Sequence, residues 1–128
     1  MPQCFYLAGS SQVGEGLQLA TAEIERRGWM ISFDWTNHPS VKPYKDHPVE
    51  ATHFAERALA GAQECDIFVL FPEQDGGTTQ FTELGAALFS ARVQQVFVVG
   101  SYNTRSLAFF HPKVKRVASF EEAINGLE

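Results

Sequence analysis

The chain has 128 residues, 45% of them hydrophobic and 20% charged, with a formal charge of −5 at neutral pH. That length closes one hydrophobic core but not two, and the balance is that of a globular domain rather than a disordered or fibrous chain, so residues 1–128 are read as a single domain. The cations are scattered without a basic stripe, and no apolar run approaches the roughly 20 residues of a membrane span, so nucleic acid polymers and membranes are not expected partners.

The chain opens on Cys4 to Ala8, an apolar run of strand length; Met1 to Ser10 lacks the basic start and cleavage site of a secretory signal, so a cytoplasmic location is expected. The small, glycine-rich stretch from Gly9 and Ser10 to Gly16 follows. It matches neither Gly-x-Gly-x-x-Gly nor a phosphate loop, and it is open between a tight strand-to-helix turn and a loop whose backbone approaches a ligand. Helical periodicity covers Gly14 to Arg27, and a second strand is expected over Met30 to Trp35. Thr36 to Pro48 is held out of helix by Pro39, Pro43 and Pro48, a long connection of the kind that often serves function.

A helix over Glu50 to Glu64 leads to the strand Asp66 to Phe71, where Ile67 to Phe71 is continuously apolar, as a sheet covered on both faces requires. A glycine turn at Asp75-Gly76-Gly77-Thr78 then opens a helix over Thr79 to Arg92, with Thr78 or Thr79 as cap, Phe81, Leu84 and Leu88 as apolar face, and Glu83 near its first turn. Gly85 inside that helix costs about 1 kcal/mol against alanine, which suggests that either the sheet or a ligand comes close on its side. Gln95 to Val99 and Val114 to Ser119 read as strands, joined by an aromatic connection from Ser101 to Pro112, and Phe120 to Leu127 as a last helix. This alternation predicts an α/β fold: a doubly wound, mostly parallel five-stranded sheet with helices on both faces, Rossmann- or flavodoxin-like. In such sheets a small-molecule ligand sits beyond the carboxyl ends of the strands.

Cys4 and Cys65 flank apolar runs without a Cys-x-x-Cys pair and read as buried thiols. His38, His47 and His53 lack the spacing that turns two imidazoles toward one zinc, so no metal is expected. Pattern alone leaves Glu83 open between a carboxylate favoured by the helix dipole and a reacting group. It also leaves Asp75 open between a turn residue and a proton donor. Asp34 and Trp35 are either strand-end cap and core aromatic, or contacts to a polar edge and a stacked base.

The runs Phe5-Tyr6-Leu7-Ala8-Gly9-Ser10, Phe33-Asp34-Trp35-Thr36 and Cys65-Asp66-Ile67-Phe68-Val69-Leu70, with Gly77-Thr78 leading to Glu83-Leu84-Gly85-Ala86-Ala87, tip that balance. Over most of the chain this order resembles the nucleoside 2-deoxyribosyltransferase superfamily, which includes deoxynucleoside 5′-monophosphate N-glycosidases. The resemblance implies cleavage or exchange of the N-glycosidic bond of a nucleoside or nucleotide, without a cofactor. Glu83 would attack the anomeric carbon, kept ionised by helix-start amides, with Tyr6 orienting it and Asp75 as proton donor or hydrogen-bond partner. Gly9, Ser10, Asp34, Trp35, Gly77, Thr78, Asn103 and His111 would line the substrate site. The resemblance also implies a homodimer or higher homo-oligomer in which Asn103, Arg105 or His111 serves a neighbouring subunit's pocket. Family members commonly carry an acidic residue where this chain has Ala58. Competing readings are a catalytically silent nucleotide-binding or sensory module and a glycohydrolase of nicotinamide dinucleotides.

Overall fold

The computed structural model describes residues 3–9 and 14–127. Five strands, β1 (Cys4–Gly9), β2 (Met30–Ile31), β3 (Ile67–Phe71), β4 (Gln95–Val99) and β5 (Val114–Val117), form one all-parallel sheet in the order β2-β1-β3-β4-β5. This is a doubly wound α/β fold of flavodoxin-like order. Helices α1 (Gly14–Arg26), α2 (Pro48–Glu64), α3 (Thr79–Leu88) and α4 (Phe120–Asn125) connect or follow the strands.

The two-residue period of the strands divides the core into two layers. Phe5 and Leu7 of β1, Ile67, Val69 and Phe71 of β3, and Phe97 and Val99 of β4 pack with α1 and α4 through Leu17, Ile24, Phe120 and Ile124. The alternate residues, Tyr6 and Ala8, Phe68 and Leu70, Val96 and Val98, face Ala62 of α2 and Leu84 and Ala87 of α3. The second layer holds the site. Among the described residues no helix is long and apolar enough to cross a membrane.

Several expected boundaries shift for identifiable reasons. The second strand stops at Ile31 rather than Trp35: Ser32 N makes a last bond to Phe5 O (2.9 Å), its hydroxyl donates to Gly61 O (2.9 Å), and the Asp34 side chain then caps a 3-10 turn at Trp35–Asn37. Helix α2 starts at Pro48, not Glu50, with proline at the first position, where a missing N–H costs nothing. Helix α3 ends at Leu88 rather than Arg92. Lys113 Nζ donates to the carbonyls of Ala87 (3.1 Å), Leu88 (3.4 Å) and Ser90 (3.0 Å), satisfying the groups the helix end leaves unpaired. β5 gives way to α4 at its N-cap Ser119, whose Oγ accepts from Glu122 N at 3.2 Å, while Glu122 Oε2 accepts from Ala118 N at 2.9 Å.

Cys65 is buried and Cys4 only partly so, and both are free. Burial pushes the Cys65 thiol up to about 12 and raises that of Cys4 as well, so neither is poised to react.

Candidate active site

Tyr6 lies in the middle of β1, opposite Phe68 of β3, and its ring stacks on Phe68 with centroids 5.8 Å apart. On its other neighbour, α2, the contact is with Gly61. A Cβ there would stand 3.0 Å from Tyr6 Cδ1 and Cε1 and 3.0 Å from Phe33 Cβ, so α2 reaches this depth because position 61 has no side chain. With the ring held, the Tyr6 hydroxyl donates to Glu83 Oε2. Tyr6 is fully buried and Glu83 is 5% exposed.

Glu83 is the fifth residue of α3, next to the first turn as the sequence places it, but its carboxylate meets the tyrosine rather than free helix-start amides. The electrostatics follow. Burial raises the Glu83 carboxyl to about 7, with the Tyr6 hydrogen bond offsetting part of the rise. The expectation that amides keep Glu83 firmly ionised is therefore corrected: near neutral pH the group is poised between its two forms. Tyr6 is pushed far up, first by burial and then by the adjacent carboxylate, so it acts as a donor that keeps its proton.

The buried face of α3 is Gln80, Glu83, Leu84 and Ala87, with Phe81 and Leu88 only partly buried, so two polar side chains occupy the centre of a face expected to be apolar. Gln80 Nε2 donates to the carbonyls of Gly76 (3.2 Å) and Gly77 (3.0 Å), and its Oε1 has no partner among the described residues. A buried acceptor left unpaired costs about 1–3 kcal/mol. Gly76 and Gly77 take φ of +82° and +67°, a left-handed pair that residues with a Cβ resist, and this lets the chain turn from β3 into α3. Thr78 stands at the N-cap without a side-chain hydrogen bond, so the Gln80 amide, not a threonine, ties the turn to the helix.

The remaining sequence candidates fall into three groups. Gly9 ends β1 opposite Phe71, and Gly77 and Thr78 lead into α3, all at the carboxyl edge of the sheet; Ser10 lies outside the described residues. Asp34 accepts from Thr36 N (3.1 Å), Thr36 Oγ1 and Asn37 Nδ2 (2.7 Å), a local cap rather than an open acceptor. Trp35 donates from its indole to Leu7 O at 2.7 Å and packs against both core layers. Asp75 is exposed on the turn.

Asn103 Nδ2 donates to Val117 O at 3.0 Å, fastening the β4–β5 connection, and Arg105 lies over the Phe81 ring at 5.3 Å. His111 sits just before β5, at the amino edge of the sheet, where its Nδ1 accepts from Lys113 N at 3.0 Å; the structure does not bring it to Glu83 within one chain. Ala58 is buried and Glu56 exposed, so α2 sends no carboxylate inward at that position. His38, His47 and His53 converge with Glu50 on a groove at the start of α2. Among the described residues no group of three or more His, Cys, Asp or Glu is placed to hold a metal.

Gly61 and Gln80 were not singled out by sequence. Gly61 carried the same signal as Gly85, a glycine inside a helix, but only Gly61 has a close protein neighbour: a Cβ at Gly85 would have no protein atom within 4 Å, so the sheet does not approach there. Gly61→Ala should overpack the Tyr6 ring, at a cost of about 1–3 kcal/mol only partly offset by better helix propensity, and lower turnover roughly tenfold by moving the hydroxyl from Glu83. Gly85→Ala, the control, should stabilise the fold by up to about 1 kcal/mol. Thermal melts and kcat/KM of the two variants check this, and equal behaviour would count against the packing role of Gly61.

No family model matches the sequence, and no curated protein matches it. Among solved structures the chain is similar to the CMP N-glycosidase BcmB of Clostridium botulinum, at 18% sequence identity, over 98% of each chain, with a TM-score of 0.56. At that identity the likeness is one of fold.

Proposed function

We propose that this chain cleaves or exchanges the N-glycosidic bond of a nucleoside or nucleotide, with Glu83 as nucleophile. The observation that carries the reading is the buried Tyr6–Glu83 pair, a carboxylate held by one hydroxyl on the helix that follows β3. The similarity in fold to a protein described as a CMP N-glycosidase supports the same chemistry.

Tyr6 holds Oε2, which leaves Glu83 Oε1 to attack the anomeric carbon. The carbon–nitrogen bond breaks with its electron pair going to the base, which takes up a proton from water on the loop side of the site. A glycosyl-enzyme ester results. Water, or a second base, then attacks the same carbon and releases the Glu83 carboxylate. The anion costs most before reaction, when it is buried without a counter-charge. It costs least at the transition state, where the sugar becomes cationic beside it, so the interaction strengthens as the barrier is approached. The near-closed position of Glu83 suits a small molecule rather than a polymer.

Incubating the protein with nucleosides, deoxynucleosides, their 5′-monophosphates and a nicotinamide dinucleotide, with and without a second free base, and separating the products tests this reading. Free base is expected; ligand binding without any product would favour the silent binding module instead. Because Glu83 titrates at about 7 and must be ionised to attack, kcat/KM should rise with pH and level off above that value. A profile flat from about pH 5 to 9 would disagree with a titrating nucleophile.

A further inference from the structure

Gln80 and Glu83 are three residues apart on α3, so their side chains leave the same face of the helix, and both are buried there, 2% and 5% exposed. The Gln80 amide has a determined orientation. The carbonyls of Gly76 and Gly77, at 3.2 Å and 3.0 Å, both require a donor, so the nitrogen faces them and the other amide atom is the oxygen, an acceptor. That oxygen has no hydrogen-bond partner among the described residues. A fully buried acceptor one helical turn from a reacting carboxylate calls for a donor that the ligand brings.

The direction of attack says which part of the ligand that is. Glu83 approaches the anomeric carbon from the side opposite the departing base, so the group lying against the buried face of α3 is the sugar. Side chains one turn apart have Cβ atoms about 5–6 Å apart, comparable to the span of a furanose ring with its substituents. A phosphate offers only acceptors near neutral pH and would repel the amide oxygen, whereas a ring hydroxyl donates. We infer that Gln80 Oε1 accepts a hydrogen bond from a ring hydroxyl of the glycosyl group, so that Gln80 is the residue through which the site selects a hydroxylated sugar. This rests on the N-glycosidic reading and adds which part of the substrate is recognised and by which atom.

The test compares base release from a ribonucleoside or ribonucleotide that the protein cleaves with release from its 2-deoxy and 3-deoxy counterparts, each kcat/KM divided by the uncatalysed hydrolysis rate of the same compound because a ring hydroxyl itself slows a cationic transition state, using the parent and Gln80→Leu, which is close in volume and lacks both polar atoms. The parent should lose about 10- to 100-fold in this ratio when the hydroxyl held by Gln80 is removed. Gln80→Leu should lose a comparable factor on the hydroxylated sugar and treat that sugar and the deoxy one alike. Equal values of this ratio for the parent on all three sugars overturn the inference, as does undiminished discrimination in Gln80→Leu. The parent comparison needs no variant, so it decides the matter even where Gln80→Leu does not fold. Base release without discrimination sinks this inference alone, while no base release from any sugar sinks the N-glycosidic reading and this inference with it.

Discussion

Glu83→Gln should abolish base release and at the same time make the protein more stable above neutral pH. The amide keeps the shape of the side chain and still accepts from the Tyr6 hydroxyl, but it is no nucleophile, so turnover should fall by about a thousandfold or more. The gain in stability comes from the burial that raises the parent carboxyl from 4.5 to about 7. Below about pH 4.5 both folded and unfolded chains hold the proton and the parent has its full stability. Between about 4.5 and 7 the unfolded chain gives up its proton first, so stability falls as pH rises, by about 3 kcal/mol in all, and the loss is complete above 7. Glutamine does not titrate, so the variant escapes this loss. Urea unfolding of both proteins at about pH 4.5 and pH 8 reads the difference directly, because every other titrating group is common to the two. A variant that is less stable than the parent at the higher pH would contradict the burial of an ionisable Glu83.

Tyr6→Phe should keep the fold and move the pH dependence. The phenylalanine ring retains the contacts with Phe68 and Gly61, while the carboxylate loses its hydrogen-bond partner. A hydrogen bond to a charged group is worth about 1.5–3 kcal/mol, and it favours the ionised form, so without it the Glu83 carboxyl rises above 7. Activity at neutral pH should fall by about 10- to 100-fold, and the rising limb of kcat/KM should move to higher pH. The limb separates an electrostatic role from a packing role. A variant of lower activity whose limb stays where the parent's lies would show that Tyr6 only fills space.

The sheet was legible in the sequence because its strands are continuous apolar runs and its helices repeat with their own period, as with Ile67 to Phe71 followed by Thr79 onward. Boundaries were less so. Trp35 fits a strand by propensity, but Asp34 beside Thr36 and Asn37 offers a local cap that wins over the ladder, and no periodicity reveals it. Lys113 reaching back to the end of α3 is a contact across 23 to 26 residues, invisible to any local window.

At the site, Glu83 and Tyr6 emerged from motif order, and the structure places them in direct contact. The surroundings of Glu83 were not legible, because a carboxylate near a helix start commonly meets amides and water, and no local window shows that it is buried against the Tyr6 hydroxyl 77 residues away. Gln80 went unnoticed because glutamine near a helix start usually faces water. Its i, i+3 relation to Glu83, with Leu84 and Ala87 completing the stripe, was the available signal, and it conflicts with polarity, which is where local rules give way at functional sites.

On the proposed mechanism Glu83 becomes covalently bound to the sugar during turnover. Intact-mass and peptide analysis of the protein quenched during turnover of a 2-fluoro-2-deoxy nucleoside or nucleotide tests it, since the electron-withdrawing fluorine slows breakdown of a glycosyl ester that passes through a cationic transition state. The expected result is a protein heavier by one glycosyl unit, with the added mass on the peptide that contains Glu83 and absent from Glu83→Gln. Base release from protein that stays unmodified throughout, or an adduct on any other residue, would contradict it.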